Sequence, residues 1–150
     1  MEKLKQVLYQ KCIDFVNERE ETVQKLIASN KQGLLSETKS SVGDKHETGR
    51  AMLQLELENI SQQLEGITTM RNTLARVNIY KKPEVGCLGS IIITNKGNYF
   101  LSVSAGQIRF NEELYFAVSI SSPIGKLFIG KCLGDVVQFR GDDIVLENIL

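Results

Sequence analysis

Over residues 4–38 apolar side chains return every three or four positions. One stripe runs Leu4, Leu8, Cys12, Phe15 and Leu26, and a neighbouring one runs Ile13, Val16, Val23 and Ile27. Two adjacent stripes make one broad apolar face, as in a helix packed on a partner. Glu18, Arg19, Glu20 and Glu21 fill part of the remainder. From Ala28 to Ser41 only Leu34 and Leu35 remain as anchors, which predicts a thinly packed, mobile far end. A second helix is predicted from about 45 to about 76. There Leu53, Leu57, Ile60, Leu64, Ile67, Arg71 and Leu74 step alternately by four and three, a heptad seam with one charge in it. Gly66 weakens that helix by roughly 1 kcal/mol relative to alanine. A helix of about thirty residues spans about 45 Å, and the only partner of similar length in the chain is the first helix. The expectation is an intramolecular antiparallel coiled coil over 1–78 with its tip near 39–48. An intermolecular coiled coil is the competing arrangement.

Asn78 to Gly86 contains Pro83 and Gly86 and ends the helical pattern, so a domain boundary is placed there. From Leu88 the period becomes that of strands. Ile91–Thr94, the turn Asn95-Lys96-Gly97-Asn98, and Tyr99–Val103 read as a hairpin. Leu114–Val118 is a third strand, and Val136–Phe139 with Ile144–Leu146 makes a last pair. Between them Ser122 and Pro123 open a short helix as N-cap and first residue, and Gly130 closes it. Residues 79–150 thus predict a small antiparallel β domain with one short helix, and the whole chain is α+β. A module of this size is marginal alone, so the hairpin base, with Ile79 and Tyr80, is expected to supply part of its core.

Composition narrows the chemistry. The chain has 150 residues, 18 basic and 18 acidic side chains, and a formal net charge of zero. A free-standing nucleic-acid binder would carry a basic patch, and an anionic membrane surface would call for the same. The three cysteines, Cys12, Cys87 and Cys132, form no CxxC pair, which points away from a disulfide framework or a zinc site. No apolar run reaches the about 20 residues of a membrane span, and Met1–Lys5 lacks a signal-peptide core. The expectation is a cytoplasmic protein.

Candidate chemistry concentrates in Gly43-Asp44-Lys45-His46-Glu47-Thr48-Gly49-Arg50. Asp44 and Glu47 are three apart at a helix start and so point the same way. Their hard oxygens suit Mg²⁺, which accepts one or two carboxylates and keeps its waters. The same spacing is a capping box, with Asp44 at N-cap and Glu47 at N3. Lys39, Lys45 and Arg50 are positioned to contact phosphate or to form a solvated charged end. His46 is the only histidine. No nucleophile elbow, dinucleotide fingerprint or P-loop occurs.

Two stretches resemble the Gre family of bacterial transcript cleavage factors. The family's hairpin tip is commonly Gly-Asp-Leu-Ser-Glu-Asn, and Gly43-Asp44-Lys45-His46-Glu47-Thr48 keeps the glycine and both acids in register. The family's second domain carries a run like Ser-Ser-Pro-Ile-Gly-Lys-Ala-Leu-Leu-Gly-Lys, and Ser121 to Lys131 is similar to it. The resemblance implies a coiled-coil hairpin followed by an FKBP-like domain that docks on RNA polymerase at its secondary channel. It implies that Asp44 and Glu47 help hold a second Mg²⁺, bound only in the polymerase complex. The polymerase then hydrolyses backtracked RNA and makes a new 3′ end. RNA, and DNA if at all, would be met only inside that complex, by a factor expected to be a monomer and not itself an enzyme. Ser122, Pro123, Ile124, Gly125 and Lys126 are the implied polymerase-facing or loop-shaping residues. Where the family has Asn-Ala-Glu-Tyr or similar after the second acid, this chain has Thr48-Gly49-Arg50-Ala51. Cations at the tip favour an alternative, a non-catalytic regulator or inhibitor in the same channel.

Overall fold

The structure is a computed structural model that describes residues 2–39 and 45–150, with side chains over 2–31 and 49–150. Two helices come first, α1 (Glu2–Lys39) and α2 (Lys45–Ala75). Then follow β1 (Ile91–Thr94), β2 (Asn98–Ser102), β3 (Gly106–Phe110), β4 (Glu113–Ser119), α3 (Pro123–Phe128), β5 (Val136–Phe139) and β6 (Asp142–Ile149). Both helices extend close to the limits that periodicity set. The expected mobile end with Leu34 and Leu35 lies outside the described side chains.

The chain forms two compact units, Val16–Met70 and a second made of Met1–Phe15 with Arg71–Leu150. In the first, Val16 and Val23 of α1 and Ile60 and Ile67 of α2 are buried. Arg19 and Val23 line one cleft with Asn59 and Ile67, so α1 and α2 lie side by side, and the short interval from Lys39 to Lys45 makes them antiparallel. The heptad seam is the buried stripe: Ile60, Ile67 and Leu74 recur at intervals of seven and are the most enclosed residues of α2. Arg71 is half-buried in that seam. Leu, Ile and Val at these positions bury their side chains for about 1.5–3 kcal/mol each.

In the second unit six strands make one sheet in the order β3-β4-β2-β1-β6-β5. Every pair is antiparallel except β2 with β4, which run parallel with Phe100 beside Ala117. The sequence reading has no counterpart of β3. Only Ile108 of that strand is buried, and the alternation Gln107-Ile108-Arg109-Phe110 is too short to stand out. One face of the sheet holds Ile92, Leu101, Val137, Ile144 and Leu146, closed by Phe128 of α3. Tyr99 packs on Phe128 with ring centroids 5.0 Å apart. By register the other face holds Ile91, Phe100, Ser102, Ala117 and Tyr115, all buried. Cys12 of α1 lies against that second face, its Sγ 3.5 Å from Ser102 Oγ. A sheet covered on both sides reads as continuous apolar runs, which explains Ile91-Ile92-Ile93 and Tyr99-Phe100-Leu101.

The hairpin base does complete the core, with different residues from those expected. Leu4, Leu8, Cys12 and Leu74 are buried, whereas Tyr80 is 64% exposed and Ile79 only half-buried. Three side chains at helical spacing on α1 tie it to this unit. Lys5 Nζ donates to Lys81 O at 2.9 Å, Tyr9 Oη to Leu74 O at 3.1 Å, and Cys12 meets Ser102.

Candidate functional site

The tip comes first in the chain. α1 closes at Lys39 and α2 opens at Lys45, so Asp44 immediately precedes α2 and Glu47 is its third residue. Gly43 and Asp44 lie outside the described residues. The side chains of Lys39, Lys45, His46, Glu47 and Thr48 lie outside the described side chains. Arg50, one turn into α2, is exposed. Among the described residues no three His, Cys, Asp or Glu side chains are grouped to hold a metal ion.

The run from Ser119 to Asp135 is fully described, and the fold uses most of it. Ser122 caps α3: its Oγ accepts from Gly125 N at 3.1 Å while its hydroxyl donates to Ser119 O at 2.6 Å. Pro123 at the first helical position needs no hydrogen-bond acceptor. Gly125 is buried, and any Cβ there would collide with the Ser119 carbonyl. Gly86 is required for the same reason, against the Phe128 carbonyl. Gly130, at φ 77°, turns the chain so that its N–H reaches Gly86 O at 2.7 Å. Asp135 Oδ2 accepts from Cys132 N at 2.7 Å and rounds the next turn. Of the five residues expected to face a partner or shape the loop, Pro123 and Lys126 are exposed, Ser122 and Ile124 are half-buried, and Gly125 is buried. Within that motif only Pro123 and Lys126 are thus open to solvent.

Sequence reasoning passed over two features. One is an exposed apolar set just beyond α3: Val85, Ile129, Leu133 and Val136, with Val85 bridged to the exposed Cys132. Its only signal was aliphatic residues between glycines. The other is the buried cation at the base. Burial pushes the Lys5 ammonium below the ordinary lysine range; Cys87 opposes the shift and Lys81 adds to it. Burial likewise pushes the neighbouring Cys12 thiol up to about 11, against a smaller opposite effect of its Ser102 bond. That value marks an unreactive structural thiol. No helix among the described residues is long and apolar enough to cross a membrane.

No family model matches the chain, and no curated protein matches it. Among solved structures it is similar to the crystal structure of the GreA factor homolog 1 (Gfh1) protein of Thermus thermophilus. The identity is 17%, the match covers 95% of this chain and 94% of that one, and the TM-score is 0.38. At these values no property of that protein passes to this chain.

Proposed function

We propose that this chain is a Gre-like transcription elongation factor that binds RNA polymerase at the secondary channel and stimulates hydrolysis of backtracked RNA. The observation that carries the reading is the pairing of α1 with α2. They run antiparallel within one chain, and the Gly-Asp-x-x-Glu motif spans the end of their link and the start of α2. On this reading the motif residues at that junction act on another molecule. The second unit, FKBP-like on this reading, would dock on the polymerase through exposed Pro123 and Lys126, with Ser122, Ile124 and Gly125 shaping their turn.

Asp44 and Glu47 offer only oxygen donors, a chemistry that fits Mg²⁺. Two carboxylates bind that ion weakly, so they would hold it only where polymerase carboxylates complete the shell. When bound, the metal supplies charge neutralisation at the scissile phosphate and lowers the pKa of an attacking water. Lys39, Lys45 and Arg50 would hold the RNA phosphates in line with those acids. The factor makes and breaks no bond alone, so it is an accessory protein, and its place of work is the cytoplasm.

The test is a purified backtracked elongation complex. Shortening of the RNA from its 3′ end should accelerate on adding the protein, and Asp44→Ala with Glu47→Ala should abolish the gain. Equal shortening by the double variant would sink the cleavage mechanism. Exposed Arg50, where the family pattern has an acid, favours the second reading of a non-catalytic channel regulator. That reading predicts displacement of another channel-binding factor from polymerase with no change in RNA length.

A further inference from the structure

The zero net charge of the chain hides a division. Residues 2–15 and 71–82, which together make the hairpin base, hold seven cations and two acids. Residues 16–70 hold six and nine, and residues 83–150 hold five and seven, so the base alone is positive. Both base segments belong to the unit that contains the sheet, and Lys5 and Tyr9 tie them together. From Gly66 to Pro83 there is no acid, while Arg71, Arg76, Lys81 and Lys82 follow in turn. Arg76, Lys81 and Lys82 are exposed, and none of the three makes an ion pair among the described residues.

The turn that carries the two lysines is fixed from both sides. Asn78 Oδ1 accepts from Tyr80 N at 3.0 Å, and Asn78 O accepts from Lys81 N at 3.4 Å. Opposite them the buried Lys5 ammonium donates to Lys81 O at 2.9 Å. The backbone is held while the side chains of Tyr80, Lys81 and Lys82 turn to water. Tyr80 is 64% exposed, and its ring meets no other ring among the described residues. Burial lowers the Lys5 pKa, and Lys81 adds to that against the pull of Cys87. Two like charges therefore stand close on a turn that supplies no acid, and an anion beside Lys81 would offset them.

An open aromatic ring beside unpaired cations is the chemistry of a surface for single strands, where the ring stacks on a base and the cations meet phosphates. An acidic peptide would engage the cations and leave the ring idle. We propose that the hairpin base binds single-stranded nucleic acid, with Tyr80 stacked on a base and Arg76, Lys81 and Lys82 on the phosphates. The chain can meet such a strand in free solution, which departs from the expectation that nucleic acid is encountered only within a polymerase complex. The tip acids play no part in this contact, so it is separable from the cleavage reading.

Fluorescence anisotropy of the full chain with a labelled single-stranded RNA of about twelve nucleotides, followed over a range of salt concentration, tests it. Saturable binding at low salt is expected. Tyr80→Ala should weaken it about tenfold by the loss of one stacked base. Lys81→Gln with Lys82→Gln should weaken it by about tenfold or more and reduce the slope of log affinity against log salt by about 1.4, the share of two phosphates on a single strand. Tyr80, Lys81 and Lys82 are exposed, so these variants should keep the parent's denaturation midpoint. Lys96→Gln, at an exposed cation on the turn between β1 and β2, should bind as the parent does, and so should Asp44→Ala with Glu47→Ala. No saturable binding at the lowest salt, or an equal loss in Lys96→Gln, overturns the proposal. So does undiminished binding by Tyr80→Ala, which would assign the cations to an acidic protein instead.

Discussion

A methyl group added at Gly125 would run into the carbonyl of Ser119 and crowd Ser122 Oγ at 2.9 Å. The neighbours are backbone and a capping hydroxyl, so relief requires α3 to move. Gly125→Ala should cost about 2–3 kcal/mol in urea denaturation. Gly66→Ala should do the reverse and add about 1 kcal/mol, because its surroundings are open and only helix propensity changes. The two buried titrating groups at the hairpin base act on stability in opposite senses. Cys12 has its pKa raised from 9.0 to about 11, so the folded state holds a proton that the unfolded state gives up between those values. Its contribution is full below pH 9 and is lost as pH rises through about 11. Lys5 is lowered, so the unfolded state holds the extra proton, and its penalty fades as pH rises toward 10.5. Denaturation midpoints of Cys12→Ala should therefore lose the decline above pH 9. Those of Lys5→Met should lose the opposing rise.

At the scale of elements, the seam of α2 is the part most readily derived from sequence. Its period of seven brings Ile60, Ile67 and Leu74 to one line whatever surrounds it, and the structure buries that line. Ile67→Ala should cost about 2–4 kcal/mol by the cavity it leaves, measured as loss of helical signal in denaturant. The cap of α3 was equally legible, because Ser-Pro at a helix start is a local device. β3 was not: its alternation, Gln107-Ile108-Arg109-Phe110, lasts only two periods and follows a glycine. The parallel register of β2 on β4 was hidden for a related reason, since pairing across an intervening strand leaves no mark in either sequence. The same holds for Lys5, Tyr9 and Cys12. Each is an ordinary residue on a helical stripe, and each finds its partner 65 to 90 residues away. Of the tip, the sequence supplies the acid pair and the helix starts; the described side chains resume beyond Glu47.

For the whole molecule, the sheet and the first turns of α1 are one body. Leu4, Leu8 and Cys12 join a unit whose other members begin at Arg71. A fragment of residues 79–150 lacks those side chains and Leu74, so Phe100 and Ser102 would face water. Near-ultraviolet circular dichroism should show that this fragment has lost fixed packing. The chain with 16–70 replaced by a short flexible loop should retain it. Native packing in the fragment alone would mean that the hairpin base is dispensable.

A protein made from its N-terminus outward meets this arrangement as a problem of order. The leading helix leaves the ribosome early, yet its docking surface includes β2 and the strands on either side of it, which are synthesised later. Until β4 has joined β1 and β2, Cys12 and its apolar neighbours must wait unsheltered, with only the growing hairpin to lean on. Docking of this helix is thus timed by the synthesis of β4 and not by its own.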